Sequence, residues 1–396
     1  MLAMTLILIT VILSVAHFYL KSGALVSFAA FAAAVFGVIV AFAYYEPLTS
    51  MLLIRGYGGQ WASAGIYVVL FVVTFAVIRT AADFMFGQDV ELGNVITRTT
   101  AIVCGILTGL IISGVVLIAL AMAPIRATWP YARLGDGDSD VTIARHMRSP
   151  VKPLIRADGI VTGLFGWISR GSLSSKKSFA VYHADFLNQI HLNNYKAKEK
   201  VYSVAGNRAV RVPKKGVRKL DSNNDNLTVV RMEVRNADIK KGGARGPDGD
   251  VVFTLGQVRL ICKKKGRIDT RGSADAVYPE GRIVSRRTAD KDAKKQDLTG
   301  VMSGRVLERR SLDKIIRLGR DEFQIGGKSA DARVDLAFEV PSDKEAVLLE
   351  FKQNVAVEVP ASAPASEEAE QLLNSSGRKS PAGRGPAVAG PGDPNT

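Results

Sequence analysis

Four long apolar segments without a single Asp, Glu, Lys or Arg occupy most of the first 124 residues of this 396-residue chain. They are Met1–Leu20, Ser22–Tyr45, Gly56–Ile78 and Thr99–Pro124. The hydrocarbon core of a bilayer is about 30 Å thick, and a helix crosses it with roughly 20 apolar residues. Because each segment reaches that length, residues 1–125 are predicted to form a four-helix transmembrane domain.

Two of these segments carry small residues at intervals of four, which allow helix backbones to approach closely in lipid. The second segment has Ala33, Gly37 and Ala41, and the fourth has Gly105, Gly109 and Ser113. We expect these two faces to pack on each other or on a second copy of the chain. A homo-oligomer is therefore one predicted arrangement.

The polar residues near the segments indicate where one helix ends and whether the protein is an ion-coupled transporter. Glu46 and Pro47 follow the second segment, and proline lacks a backbone donor and disfavours helix in the preceding residue. The second helix is therefore predicted to end there. Arg79 and Asp83 lie past the third segment, so no ionisable residue lies deep within a span. Ion-coupled transporters bury such groups at mid-membrane, and the pattern therefore disfavours a pump.

The order of the helices and their connections resembles a known family. Lys21-Ser22-Gly23 joins the first two helices, Tyr45–Leu48 reads Tyr-Glu-Pro-Leu, and a polar stretch leads into the glycine-rich fourth helix over 93–114. Over residues 1–125 this resembles the bacterial colicin V production protein family (CvpA). The resemblance implies a multi-pass protein of the bacterial inner membrane, linked to colicin V production and export or to envelope maintenance. It also implies a C-terminal domain outside the cytoplasm, with no catalytic residues to carry over.

Residues 126–200 form a connector that contains one predicted amphipathic helix. Apolar residues recur at helical spacing over Ile155–Ile168, between Arg156 and Arg170. Such a helix either lies in the plane of the membrane interface or packs on the soluble domain, and the pattern leaves both open. His183 and His191 could share a helix face, but two histidines without a third ligand do not predict a metal site.

Residues 201–359 change to a period of two, which is typical of half-buried antiparallel strands. Val230, Met232 and Val234 alternate with charged residues. Further strands are predicted at Val251–Cys262, Val334–Val340, Val347–Phe351 and Val355–Val359. The pattern predicts an all-β domain, an immunoglobulin-like sandwich. Residues 360–396 are rich in Pro, Ala, Gly and Ser and are predicted to be a disordered tail.

The β domain is strongly basic, with 32 Lys and Arg against 15 Asp and Glu between Lys196 and Arg320. This excess favours an anionic partner, either anionic lipid or a cell-wall polymer, or else a solvated surface without a dedicated ligand. Few aromatic residues are interleaved with the charge, which disfavours nucleic acid. The candidate binding residues are Lys214, Lys215, Lys263, Lys264, Lys265, Arg286 and Arg287.

No residue pattern in the chain supports catalysis. Cys104 and Cys262 lie in different parts of the sequence, and no Gly-x-Ser-x-Gly motif occurs. We therefore predict a non-enzymatic membrane anchor or assembly factor with no catalytic residue, cofactor or metal. Two alternatives stay open: a transporter or channel subunit, and a membrane tether that binds an anionic polymer through the basic domain.

Overall fold

The computed structural model describes residues 2–21, 23–85, 93–125, 129–134, 150–170, 178–194, 205–206, 208–222, 225–239, 250–266, 272–285, 298–302, 304–319, 323 and 331–361. The predicted tail lies outside these residues, apart from its first two. Four long helices come first: α1 Leu2–Lys21, α2 Ala24–Ile54, α3 Ala62–Met85 and α4 Asn94–Met122. Each is long and apolar enough to cross a membrane, and the four predicted apolar helices are confirmed.

The predicted end of the second helix at Pro47 is wrong, because α2 continues through the proline to Ile54. A proline inside a helix removes one backbone hydrogen bond, and packing can compensate for that loss. Tyr45 and Thr49, on either side of Pro47, are both buried. The hydroxyl of Ser50 also donates to the Pro47 carbonyl at 2.9 Å. Tertiary contacts therefore carry the helix past the proline.

The third helix is longer than its charge-free segment and includes Arg79 and Asp83 in its last turns. The guanidinium Nη2 of Arg79 lies 3.3 Å from Oδ1 of Asp83, four residues further along the helix. Its Nη1 donates to the carbonyl of Val26 in α2 at 2.7 Å. The end of α3 is thereby held beside the start of α2, as expected for an antiparallel pair of spans.

Helix α4 lies at the centre of the bundle and contacts α1, α2 and α3. The apolar side chains that point away from the bundle are exposed, for example Ile12 and Leu13 of α1 and Val69 and Val73 of α3. In a bundle of this composition, those side chains form the surface that faces lipid.

Three shorter helices follow: α5 Ala157–Arg170, α6 Phe179–Tyr182 and α7 Phe186–Asn194. The predicted connector helix is confirmed as α5. It contacts α2, α4, α6 and α7, so it belongs to the helical part of the molecule.

The rest of the described chain is mainly β-structure, as predicted. The strands are β1 Val210–Arg211, β2 Val217–Ser222, β3 Asp225–Val234, β4 Val251–Thr254, β5 Val258–Lys264, β6 Asp275–Val277, β7 Pro279–Ser285, β8 Leu298–Met302, β9 Arg305–Arg309, β10 Ile315–Leu318, β11 Ala332–Glu339, β12 Lys344–Phe351 and β13 Val355–Glu358. A single turn of helix, α8, covers Asn236–Ile239.

All strand pairs are antiparallel and fall into three sheets. A seven-stranded sheet has the order β1-β3-β11-β7-β9-β8, with β2 also paired to β3, and a four-stranded sheet has the order β13-β12-β5-β6. A short sheet pairs β10 with β4. Met232, Leu336, Phe253, Leu260 and Phe351 share one core between these sheets. The immunoglobulin-like sandwich is not confirmed.

The predicted strand region Val251–Cys262 is divided by a 3₁₀ turn at Leu255–Gln257. The side-chain Oε1 of Gln257 accepts a hydrogen bond from the Thr254 backbone N–H at 3.2 Å and closes the turn. The chain therefore leaves β4, paired with β10, and enters β5, paired with β12. This change of sheet places Arg259, the second residue of β5, next to the short helices.

Candidate functional site: a buried charge network at the junction

Charged and polar side chains from the membrane helices, the short helices and the β domain meet in one network. Helix α2 supplies Glu46, the segment between α6 and α7 supplies His183 and Asp185, α7 supplies Gln189, β5 supplies Arg259, and β12 supplies Glu350. Residues far apart in the sequence thus converge where the helices and the sheets touch. We call this set of residues the junction network.

His183 joins the membrane part to the rest of the network. Its Nε2 lies 3.3 Å from Oε2 of Glu46, and its Nδ1 lies 2.9 Å from Oε1 of Gln189. Nε2 faces a carboxylate, whereas Nδ1 also lies 3.5 Å from the donor Nη2 of Arg259, so donation from Nε2 to Glu46 is the better-defined contact. Burial disfavours the charged ring, but the carboxylates of Glu46 and Glu350 outweigh that effect and raise the pKa of His183 above its usual value.

Arg259 is the central cation of the network. It is 2 % exposed, as is Glu350, and its Nε and Nη2 donate to Oε2 of Glu350 at 3.0 and 2.5 Å. Its Nη1 donates to Asp185, and its Nη2 also donates to the Tyr182 carbonyl at 2.6 Å. Gln189 completes the path by donating to Oε1 of Glu350 at 2.5 Å. The buried guanidinium is therefore compensated on several sides.

Burial and charge shift the pKa values of this group in directions that follow from the geometry. Burial raises the pKa of Glu350, although Arg259 and His183 partly oppose that effect. The pKa of Arg259 is raised, because Glu350 and Asp185 outweigh the cost of its burial. Burial also raises the pKa of Tyr278 well above its usual value, and its hydroxyl donates to Asp185. The phenol therefore acts as a neutral donor.

An aromatic cluster packs against the network on the side of the spanning helices. The ring of Phe42 in α2 stacks on Phe165 of α5 with centroids 5.0 Å apart. It also meets Phe179 at 5.1 Å, Phe186 at 5.3 Å and Tyr67 at 5.3 Å, each edge-on. Two clefts, of about 280 and 240 Å³, share Asp185 as a lining residue, and the larger one is also lined by His183 and Phe179. The clefts therefore reach the edge of the network, whereas Arg259 and Glu350 are buried.

The predicted small-residue face of α2 packs against α3. Ala33 and Ala41 are fully buried. A Cβ on Gly37 would lie 3.0 Å from the ring of Phe71, so glycine permits this close contact. The face is therefore used inside the chain, although its partner is α3 and not the small-residue face of α4.

The predicted face of α4 packs against α1. A Cβ on Gly105 would lie 2.9 Å from Cα of Val15, and one on Gly109 would lie 2.7 Å from Cα of Val11. Ser113 is buried and donates to the Leu110 carbonyl at 2.9 Å. The small-residue face that suggested a homo-oligomer therefore packs within one chain. The homo-oligomer itself stays a prediction.

The described basic candidates are not gathered in one place. Lys214 and Lys215 are exposed in the turn before β2, whereas Lys264 and Lys265 are exposed at the end of β5. Lys263 is buried, because its side chain leaves the strand on the side opposite to that of Lys264. Arg286 and Arg287 lie outside the described residues. The predicted role in anionic binding stays a prediction.

The junction network was missed by sequence reasoning, although it left a signal. Arg259 lies between Val258 and Leu260, and Glu350 lies between Leu349 and Phe351. Charges flanked by apolar residues in a strand are rarely buried without a partner. His183 and His191 make separate contacts, since Nδ1 of His191 donates to the Leu187 carbonyl at 2.8 Å. Among the described residues, no group of three or more His, Cys, Asp or Glu could hold a metal ion.

These features define the class of the molecule: a membrane protein with four spans, joined through a buried charge network to an antiparallel β domain. Comparison with family models, curated proteins and solved structures gives no match. The resemblance to the colicin V production family therefore stays a prediction based on residues 1–125.

Proposed function

We propose that this chain is a non-enzymatic membrane anchor that holds its β domain in one orientation against the spanning helices. The observation that carries the proposal is the junction network, in which Glu46, His183, Glu350 and Arg259 connect α2 to β5 and β12. Breaking one buried charge from its partner is costly, so such a network favours a single arrangement of the two parts.

The pairing of the charges supports a structural role over a catalytic one. Glu46 meets His183, and Arg259 meets both Glu350 and Asp185. A catalytic acid, base or nucleophile needs access to a reacting group, whereas these side chains are directed at each other.

In its finer form, the proposal is that the anchor serves as an assembly factor in colicin V production and export or in envelope maintenance. It would then reside in the bacterial inner membrane, with an immunoglobulin-like β domain outside the cytoplasm. This form rests on the resemblance of residues 1–125 and on the strand pattern of residues 201–359.

Spin-label distance measurements test the fixed orientation. Labels at Val69→Cys on α3 and Lys265→Cys after β5, in a Cys104→Ala/Cys262→Ala background, report the separation of the two parts in vesicles. We expect one narrow distance distribution, which Arg259→Met broadens. The matched control Arg333→Met removes a side chain that is 60 % exposed beside Glu233 and should leave the distribution narrow. A broad distribution in the unaltered chain contradicts the proposal.

Reconstitution separates the anchor from a transporter or channel subunit. Vesicles that contain the full chain should show the same ion and dye leakage as vesicles without protein. Leakage that depends on the protein and is abolished by substitutions inside the four-helix bundle would favour the transporter instead.

A second candidate function, a tether for an anionic polymer, is favoured by the position of Lys264 and Lys265. Lys264 pairs with Lys344, the first residue of β12, and Phe351 at the other end of β12 adjoins the junction. Lys264 is five residues beyond Arg259 on β5, which at about 3.3 Å per residue places it about 17 Å along the strand from the junction network. An exposed basic site on the β domain, away from the junction, suits a polymer.

Binding of polyglutamate to the full chain in detergent tests the tether. We expect binding that weakens with salt and is reduced by Lys264→Glu/Lys265→Glu. An equal reduction from Lys214→Glu/Lys215→Glu would mean that net charge matters and that the end of β5 is not a specific site.

A further inference from the structure

Helix α5 has one packed side and one bare side. Its packed side carries Val161, which is fully buried, and Phe165, which stacks on Phe42. The bare side carries Ile160 and Trp167, the latter 71 % exposed. Leu154, just before the helix, is 90 % exposed. Large apolar side chains this exposed on a well-packed helix indicate a surface that meets something other than water.

The start of α5 contacts the later part of α4. A Cβ on Gly114 of α4 would lie 2.4 Å from the carbonyl oxygen of Ala157, so the two helices touch there. Gly114 is fifteen residues beyond Thr99, the start of the charge-free segment, which corresponds to about 23 Å of helix. Ala157 also shares a small core with Ala3 and Ile7 in the first two turns of α1.

The tryptophans of the chain indicate where the bilayer meets water. All three are exposed: Trp61 immediately before α3, Trp129 soon after α4, and Trp167 on α5. Tryptophan is enriched where a bilayer meets water, because the indole ring is apolar and its N–H can still reach polar groups. Trp61 and Trp129 flank spanning helices on the side from which the chain continues into α5, so the same interface is where an exposed Trp167 is expected.

The charges around the bare side are positive. Lys152, Arg156 and Arg170 are exposed at the two ends of α5. Asp158, the acid within the helix, is buried and accepts hydrogen bonds from the Tyr131 hydroxyl and the Gly159 backbone N–H. An apolar edge with basic ends is the composition of a helix that lies on an anionic membrane.

We infer that α5 lies in the plane of the membrane interface, with Leu154, Ile160 and Trp167 among the lipid head groups and upper acyl chains. Its partner is the bilayer itself, and the basic ends favour anionic lipid. This goes beyond the proposed function, because the β domain could be fixed to the spanning helices whether or not α5 touches lipid. The packed side of α5 contacts α2 and α4, which differs from the packing on the soluble domain that its sequence pattern left open.

Tryptophan fluorescence tests the inference on the full chain. The variant Trp61→Phe/Trp129→Phe leaves Trp167 as the single tryptophan. In vesicles whose lipids are brominated just below the head group, we expect a loss of most of its emission and little quenching by aqueous iodide. Quenching by iodide without quenching by bromine overturns the inference, while a narrow spin-label distribution would still support the fixed β domain.

One further measurement and one further variant keep the outcome interpretable. A melting temperature equal to that of the unaltered chain shows that the single-tryptophan variant is folded. Arg156→Gln/Arg170→Gln in that background should reduce bromine quenching when the vesicles contain phosphatidylglycerol. Equal quenching with and without the arginines, in both anionic and zwitterionic vesicles, overturns the role given to the basic ends.

Discussion

Nε2 of His183, in the connector, lies 3.3 Å from Oε2 of Glu46, near the end of the second spanning helix. The pair links the part of the chain that belongs in lipid to the part that folds as a β domain. Because Nδ1 of the same ring contacts Gln189, which donates to Glu350, a change at one end of the network reaches the other through hydrogen bonds.

Glu46→Gln should make the stability of the protein less dependent on pH. The pKa of His183 is raised above its unfolded value of about 6.5, so its charged contacts stabilise the fold fully below that pH. This stabilisation is lost as the pH rises through the folded pKa. Without the Glu46 charge, we expect the free energy of unfolding to fall by about 1–3 kcal/mol at low pH and by less at higher pH. Unfolding midpoints in detergent, measured across this range, check it.

Glu358→Gln is the matched control for that experiment, because Glu358 is exposed on β13. It removes a carboxylate without touching the His183 contacts, and its effect should be small at every pH. A Glu46→Gln chain whose stability falls equally at all pH values would show that the contact does not depend on the His183 proton.

Arg259→Met should be among the most destabilising single substitutions in the β domain. It leaves Glu350 buried without its cation, and breaking one partner of a buried pair costs about 3–5 kcal/mol. The double variant Arg259→Met/Glu350→Met removes both charges, and we expect it to recover much of the loss. Chemical denaturation of the single and double variants measures the coupling.

The matched substitution Arg333→Met removes an exposed arginine that lies 3.3 Å from Glu233. It should cost less than about 1 kcal/mol, because Arg333 is exposed and Arg211 still pairs with Glu233 at 2.7 Å. If the double variant at the junction is no more stable than Arg259→Met alone, the charges are not acting as a compensated pair.

Gly109→Ala should destabilise the bundle even though alanine favours helix. The new Cβ would lie 2.7 Å from Cα of Val11, so α1 must move away from α4, at a cost of about 1–3 kcal/mol. Gly65→Ala in α3 is the control, because a Cβ there meets nothing within 4 Å. We expect that control to gain up to about 1 kcal/mol from helix propensity. Thermal unfolding in detergent compares the two.

The same pair of variants bears on the predicted homo-oligomer. Since Gly109 is covered by α1 of its own chain, Gly109→Ala should lower stability without changing the mass of the protein–detergent particle. A lower mass together with unchanged stability would instead place this face between two copies of the chain.

The spans and many strands could be predicted because each depends on a local pattern. A charge-free run of sufficient length indicates a membrane helix, and alternation such as Val230, Met232 and Val234 indicates a strand. These patterns determine which segments form helices or strands and which side of each is buried. They do not set which elements meet, so the α4 glycines were expected to meet the α2 face or a second copy, whereas they meet α1.

The junction network could not be derived in the same way, because its members come from four distant parts of the sequence. Glu46 was interpreted as part of a helix end and His183 as half of a weak metal pair, and each interpretation considered neighbours in sequence only. Pro47 shows the same limit, since local backbone preference predicts a break where the packing of Tyr45 and Thr49 maintains a helix. Long-range contacts outweighed local preference in both cases.

Lys352, in the turn between β12 and β13, combines two unfavourable features that one substitution should relieve. Its φ is +52°, a conformation that asparagine tolerates better than lysine, and its side chain is buried. Burial lowers its pKa to about 7, so the folded state disfavours the proton that the unfolded chain keeps up to about pH 10.5. Lys352→Asn should therefore raise stability by about 1–2 kcal/mol near neutral pH.

The gain should depend on pH in a defined direction. A folded pKa below the unfolded one makes the lysine most costly at and below about pH 7, and the cost fades as the pH rises towards 10.5. Gln353→Asn is the control, because Gln353 also has a positive φ, +66°, but carries no charge. Its effect should be the same at both ends of this range. A gain from Lys352→Asn that is equally large at high pH would assign the cost to the backbone alone.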